Sequence, residues 1–305
     1  RNGYAWWYLD ALSDDGRHGL TVIAFLGSVF SPWYAWARRR SGGADPMEHC
    51  ALNVALYGER GRWAMTERPA SAVERGPDTL RIGPSALGWD GDSLRVQVRE
   101  VTVPVPRRLR GEIRLRPAGA TNTRGFILDP ATRRHRWTPI APAARVEVAL
   151  EEPALRWSGP AYFDTNDGDA PLEQDFTRWD WCRAPLHEGG AGVLYNVEPS
   201  GGGAHSLALR VRPGGEVEDA PPAPPPAHLP PTRLWRMPRP FRAEPGTEPS
   251  VVRTLEDTPF YARSVVSTRM FGEPARAVHE SLSLDRFRAP WVQAMLPFRV
   301  PRARR

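Results

Sequence analysis

The stretch "RVEVAL", Arg145 to Leu150, sets Val146, Val148 and Leu150 on one side of an extended chain and Arg145 and Glu147 on the other. This two-residue repeat marks a strand with one buried face. The pattern recurs upstream in "LRVQV" (Leu94 to Val98) and "EIRLR" (Glu112 to Arg116). Downstream it returns in "HSLALRVRPGG" (His205 to Gly215), where Leu207, Leu209 and Val211 share a face and a Gly-Gly turn ends the run. No stretch keeps a helical spacing over three turns, and 33 prolines and 27 glycines punctuate the chain at short intervals. The expected fold is all-β, built from antiparallel barrels or sandwiches.

A length of 305 residues favours two domains over one. The polar, acidic segment "FDTNDGDAPLEQDFTRWDW" lies between the alternating blocks, which places the boundary at residues 1–172 and 173–305. The proline-rich "EDAPPAPPPAHLPPTR" (Glu218 to Arg233) reads as a stiff surface loop. Every one of the 41 basic residues is Arg, and the net charge of +6 suits an anionic surface without requiring one. Cys50 and Cys182 stand alone in apolar stretches, which excludes a disulfide framework and a zinc site and fits a reducing compartment. The longest apolar run, "GLTVIAFLGSVF", is shorter than the roughly 20 residues a spanning helix needs. The sequence opens on "RNGYAWW" without Met, so a segment upstream is compatible with it.

Several chemistries lack their motifs. G-x-S-x-G, G-x-G-x-x-G and a Walker loop are all absent. The run from Asp164 imitates a calcium loop but has Asp169 in place of the glycine and Asp175 in place of the bidentate Glu. Tryptophans beside arginines come with no RNP-like or zinc-knuckle motif, which argues against nucleic acid. What remains is aromatic density around a few titratable groups. In "RRHRWTP", His135 and Trp137 point to one face of a strand, and in "AYFDTN" Tyr162 and Asp164 do the same, with Phe163 opposite. On its local residues alone Asp164 reads first as the opening of a turn.

The stretches "GYAWWYLDALSDDGRHGLTVIAFLGSVFSP", "HCALNVALYG", "RRHRWTPIAP" and "YFDTNDGDAPLEQDFTRWDW" closely resemble the carotenoid 1,2-hydratases, or hydroxyneurosporene synthases, of purple photosynthetic bacteria. The resemblance runs through essentially the whole chain. It implies two tandem lipocalin-like β domains, no cofactor and no metal. The implied reaction is addition of water to the terminal double bond of acyclic carotenoids such as neurosporene and lycopene. The family's important positions fall on His135, Trp137, Tyr162 and Asp164. On this reading Asp164 is the proton donor, the faces of Trp137 and Tyr162 steady the cation, and His135 or ionised Asp164 takes the proton of water. Trp6, Tyr8, Trp157 and Phe163 are expected to line the substrate cavity, which should lie mainly in the first barrel.

A bilayer-borne substrate further implies a cytoplasmic protein in peripheral contact with the intracytoplasmic membrane. "SPWYAWARRRSGG" (Ser31 to Gly43) and "TRLWRMPRPFRAE" (Thr232 to Glu244) are the candidate interfacial patches. The competing expectation is a lipocalin-like carrier, or a cyclase acting on another prenyl lipid.

Overall fold

The computed structural model describes residues 1–219 and 222–303, so two residues of the proline-rich segment, 220 and 221, lie outside the described residues. Two antiparallel sheets dominate. The first has twelve strands, all between Tyr4 and Gly168, and its central strands are Gly19–Leu26, Tyr4–Leu12, Leu155–Gly168 and His135–Glu152. Its two ends curl toward each other into a nearly closed barrel: the amide of Val103 donates to the carbonyl of Trp63, and buried Arg68 meets Glu100 at 2.6 Å. The second sheet has seven strands, with Ala191–Pro199, Phe176–Pro185, Glu273–Ser283 and Tyr261–Met270 at its centre. The chain passes from one sheet to the other between Gly168 and Phe176, and we propose the division at residues 172 and 173 as the domain boundary.

Alternation along the strands dictates what each face meets. The faces carrying Leu9, Ala11, Val22, Val54, Val96, Ile113, Val146 and Phe163 turn into the barrel and fill it with a continuous aliphatic core. The opposite faces of the same strands present Tyr4, Trp6, Tyr8, Phe25 and Tyr162 outward, and the second sheet covers them with Trp179, Trp181, Val193 and Tyr195. The far side of the second sheet carries Cys182, Leu194, Val266 and Ala277, packed under Leu229 and Phe241 of a small hairpin. That hairpin pairs Pro226–Leu229 with Arg239–Arg242. The described part of the proline-rich segment is therefore the lid of a core rather than only a surface loop. Proline is tolerated there because the two-stranded ribbon consists of edge strands.

Helix is confined to short pieces. Pro32–Ser41 forms a ten-residue helix that the sequence pattern did not announce. Its start is fixed by Ser31, whose side chain accepts from the amide of Tyr34, and by Pro32 in the first turn; its end is fixed by Gly42 at φ 65°. Near the C-terminus, Leu284–Arg288 and Pro290–Met295 cap one edge of the inter-sheet layer. The tail then returns to the first sheet, where Ala303 and Pro301 bond the backbone of Glu67.

Candidate active site

A cavity of about 950 Å³ opens between the two sheets. Its wall is largely aromatic, with Trp6, Tyr8 and Phe25 from the first sheet facing Trp179, Trp181 and Tyr195 from the second. Asp164, Asn166, Glu256 and Glu280 are among the polar groups that interrupt it. The cavity expected inside the first barrel is therefore elsewhere. The barrel interior is occupied by aliphatic side chains, and the open space belongs to the outer face of the barrel wall and to both sheets.

Asp164 sits on the Leu155–Gly168 strand, directly opposite Tyr8 of the neighbouring strand. Its carboxyl group is almost completely buried. Oδ2 accepts two hydrogen bonds, from the Trp137 indole N–H at 2.8 Å and from the Tyr162 hydroxyl at 2.6 Å. Oδ1 is buried and has no protein partner. Burial pushes the Asp164 pKa up to about 7, the negative charge of Glu280 acts in the same direction, and the two hydrogen bonds restrain the rise. The Tyr162 phenol is raised well above its ordinary value by burial and by the Asp164 charge, so it remains a donor. The group is thus a carboxyl held near neutrality with one oxygen fixed and the other free, in surroundings that a mere turn-former would not require.

The structure brings Trp137, Tyr162 and Asp164 together as the parity of their strands predicted. Trp137 and Tyr162 stand behind the carboxyl, however, fully buried and outside the cavity wall. The ring faces that meet the cavity belong to Trp6, Tyr8, Trp179, Trp181 and Tyr195. Trp181 lies 4.9 Å from Tyr162 and 5.4 Å from Tyr8, edge-on to both.

His135 does not reach the cavity. Its Nε2 lies 2.7 Å from Asp175 Oδ2 and its Nδ1 2.8 Å from the Tyr4 hydroxyl. A carboxylate can only accept, so Nε2 carries the ring proton and Nδ1 accepts from Tyr4. Both nitrogens are engaged, and a direct role in taking a proton from water does not fit that position. Asp129, His135 and Asp175 do approach one another as metal ligands would. Asp129 instead accepts from the amides of Arg134 and His135, and the Arg134 guanidinium rests on Asp175, so each carboxylate already has protein partners.

Trp6 and Tyr8 line the cavity as the sequence suggested, but Trp157 and Phe163 do not. Both lie at odd positions of their strand, one residue out of step with Asp164, and so turn into the barrel core. Trp157 stacks on His18 instead. Sequence reasoning missed Trp179, Trp181, Tyr195, Asn166 and Glu280. Three of these had a readable signal: "RWDW" alternates Trp179 and Trp181 on one face, yet its acidic flank made it look like a linker, and Asn166 simply continues the parity of Tyr162 and Asp164.

The comparisons with known proteins identify the family. Residues 22–305 match the family model for the carotenoid hydratase CrtC. The acyclic carotenoid 1,2-hydratase of Thiocapsa roseopersicina is 61% identical over 98% of this chain and 73% of its own length. The enzyme of the same name from Rubrivivax gelatinosus is 50% identical over the same shares. Among solved structures, an AttH candidate from Nitrosomonas europaea superposes with a TM-score of 0.65 over 92% of both chains at 15% identity, a likeness of fold alone. The family model covers most of the chain, the relatives match nearly all of it, and the chain belongs to the carotenoid hydratase family.

Proposed function

We propose that this protein adds water across the terminal C1=C2 double bond of acyclic carotenoids such as neurosporene and lycopene, with Asp164 as the acid and no cofactor. The observation that carries the reading is the divided carboxyl of Asp164: Oδ2 holds two donors and Oδ1 is buried without a partner in an aromatic cavity. The alkene of such an end group is insulated from the polyene by two saturated carbons, so protonation at C2 leaves an isolated tertiary cation at C1. Oδ1 delivers the proton while Trp137 and Tyr162 stabilise the charge that develops on Oδ2. The neighbouring ring faces, Trp6, Trp181 and Tyr195 among them, stabilise the cation, an effect worth about 2 kcal/mol where water is excluded. Water closes on C1 and the product is a 1-hydroxy-1,2-dihydro carotenoid. His135 acts at one remove: through Tyr4, whose ring stacks on Trp6 at 4.9 Å, it positions the cavity wall.

The cavity opens where a substrate dissolved in a bilayer would arrive. Met295 and Phe298 line it and are 43% and 76% exposed, and Trp291 and Leu234 stand exposed beside them. Arg299 lies over the Trp63 ring at the same edge. We place the peripheral membrane contact on this rim, where apolar side chains enter the interface and arginines meet anionic headgroups. The two patches named from sequence contribute in part. Trp33 bonds the carbonyl of Val300 and Trp235 stacks on Trp291, whereas Tyr34 and Phe241 are buried. Among the described residues no helix is long and apolar enough to cross a membrane.

The test is incubation of the protein with lycopene in liposomes and 18O-labelled water. A 1-hydroxy product carrying the heavy oxygen is expected. Lycopene that binds and is recovered unchanged would replace this reading with a carrier.

A further inference from the structure

Oδ1 of Asp164 faces its substrate without a protein partner, but the water that must attack C1 also needs a holder, and His135 is not available for it. Three other carboxyls line the cavity: Glu256 accepts from Tyr57 and Asp257 from the amides of Leu234 and Trp235, whereas Glu280 accepts from Tyr8, the residue directly opposite Asp164. Glu280 sits on Glu273–Ser283 of the second sheet, directly opposite Trp181, while Asp164 sits on the first sheet directly opposite Tyr8. Tyr8 and Trp181 touch edge-on and also touch Tyr162, so the two carboxylates approach one space from its two walls.

The two oxygens of Glu280 differ as those of Asp164 do. Oε1 accepts from the Tyr8 hydroxyl at 2.6 Å and from the Arg263 guanidinium. Tyr8 in turn accepts from Arg263 at 2.7 Å. Arg263 is fully buried and also pairs with Asp10, which binds Arg183 as well. Two arginines and two carboxylates thus form a charge-balanced strut from the first sheet to the second. Oε2 of Glu280 takes part in none of these contacts, and the side chain keeps 17% of its surface, on the cavity side. A strut needed only for charge balance would not have to leave a carboxylate oxygen open on an apolar cavity.

We infer that Glu280 is the base of the hydration: its Oε2 holds the nucleophilic water opposite Asp164 and takes its proton. The inference rests on the proposed acid role of Asp164. In the first step the Oδ1–H bond of Asp164 breaks, the π pair of C1=C2 forms the new C2–H bond, and C1 becomes a cation. In the second a lone pair of water bonds C1 while its O–H bond breaks and the proton passes to Oε2. A proton then returns from Glu280 to Asp164 through a water molecule, and the sum is alkene plus water giving a tertiary alcohol. Dividing the work between two carboxyls lets the water be held before the cation exists, which shortens the cation's life.

The experiment follows the fate of the cation in D2O. Glu280→Gln keeps an acceptor for Tyr8 and Arg263 but cannot take a proton. Asp164 still deuterates C2, and with capture slowed the cation returns to alkene by losing a proton from C2, leaving deuterium behind. Hydration should fall about 10²-fold, as for a lost general base, while deuterium in recovered lycopene rises relative to product. Glu280→Asp keeps the charge of the strut and withdraws the carboxylate by one methylene. It should show the same shift of ratio, and it serves in place of Glu280→Gln if that variant does not fold. Wild-type hydration with an unchanged exchange-to-hydration ratio in a folded variant would overturn the inference. Failure of the acid reading looks different: Asp164→Asn would then still exchange deuterium into lycopene, whereas a true acid's loss abolishes exchange and hydration together.

Discussion

One strand, Tyr4–Leu12, meets two environments. Its odd residues, Leu9 and Ala11, lie in an aliphatic barrel interior with Val22, Val54 and Ile113, where side chains fill the space. Its even residues, Tyr4, Trp6, Tyr8 and Asp10, face the second sheet across an aromatic layer that holds a large cavity, an unpartnered carboxyl oxygen and a buried four-charge strut. The strand Leu155–Gly168 divides the same way, with Phe163 turned into the barrel and Tyr162 and Asp164 turned outward. A filled aliphatic interior leaves no room for a substrate and penalises any charge placed in it. The inter-sheet layer can bear polar groups because two sheets supply partners for them and large rigid rings keep space between. The barrel interior supplies stability, and on the proposed reading its outer wall supplies the chemistry.

The comparison breaks most plainly at Asp164. Asp164→Asn keeps an oxygen to accept from Trp137 and Tyr162, so the fold should survive, but an amide cannot protonate an alkene. Hydration is expected to fall by at least the 10²- to 10⁴-fold of a lost general acid. Product yield measured beside a thermal melt checks it. A folded variant that keeps more than about a tenth of the activity would make the outer wall no more chemical than the inner one.

One residue away the expectation inverts. Phe163→Ala empties part of the barrel core and should destabilise the fold by about 3 to 5 kcal/mol, read as a lower denaturant midpoint. Activity per folded molecule should change little, because the side chain does not touch the cavity. Loss of turnover at full stability would mean that the two faces are not separable.

Tyr162→Phe probes the support of the acid rather than the acid. It removes one of two hydrogen bonds to the oxygen on which charge develops, a loss of about 1.5 to 3 kcal/mol for a bond to a charged group, or about 10- to 100-fold in rate. The same bond restrains the Asp164 pKa, so the variant's activity should persist to higher pH than that of the wild type. A rate profile in pH shows both effects, and an unshifted profile would remove Tyr162 from the support of the carboxyl.

How far the sequence foretold this arrangement depended on range. Strand identity and facing are local, which is why "RVEVAL" and "HSLALRVRPGG" read correctly and why Tyr162 and Asp164 share a wall. Which of two buried faces encloses the cavity is a tertiary property, since both faces of the first sheet's central strands are apolar or aromatic and only the docking of the second sheet decides between them. Phe163 and Trp157 were therefore assigned to the wrong side, and Tyr195 and Glu280 were invisible as site residues. His135 has the right parity and still falls outside the cavity, because Tyr4 and Asp175 occupy its ring nitrogens, and no spacing in the sequence encodes that contact.

The smallest of these effects is also the most direct test of what burial does to the acid. Burial raises the Asp164 pKa to about 7, against about 3.9 for an unperturbed Asp, and catalysis needs the protonated form. Hydration should be level in the acid range and fall above neutrality, by about tenfold between pH 6 and pH 8 as the protonated fraction drops. Stability shares the cause. A group whose folded pKa is raised binds more protons folded than unfolded between the two values, so its contribution is fully present below about pH 4 and is lost as pH rises through about 7. Asp180 and Glu256 are raised by burial as well and add slopes of the same sign, so the quantity to compare is the difference between wild type and Asp164→Asn. Melts across pH 4 to 8 should show the variant gaining on the wild type as pH rises, with the change complete just above 7. A constant difference over that range would mean that Asp164 is ionised throughout, and the inter-sheet layer would then be no more hostile to charge than the protein's surface.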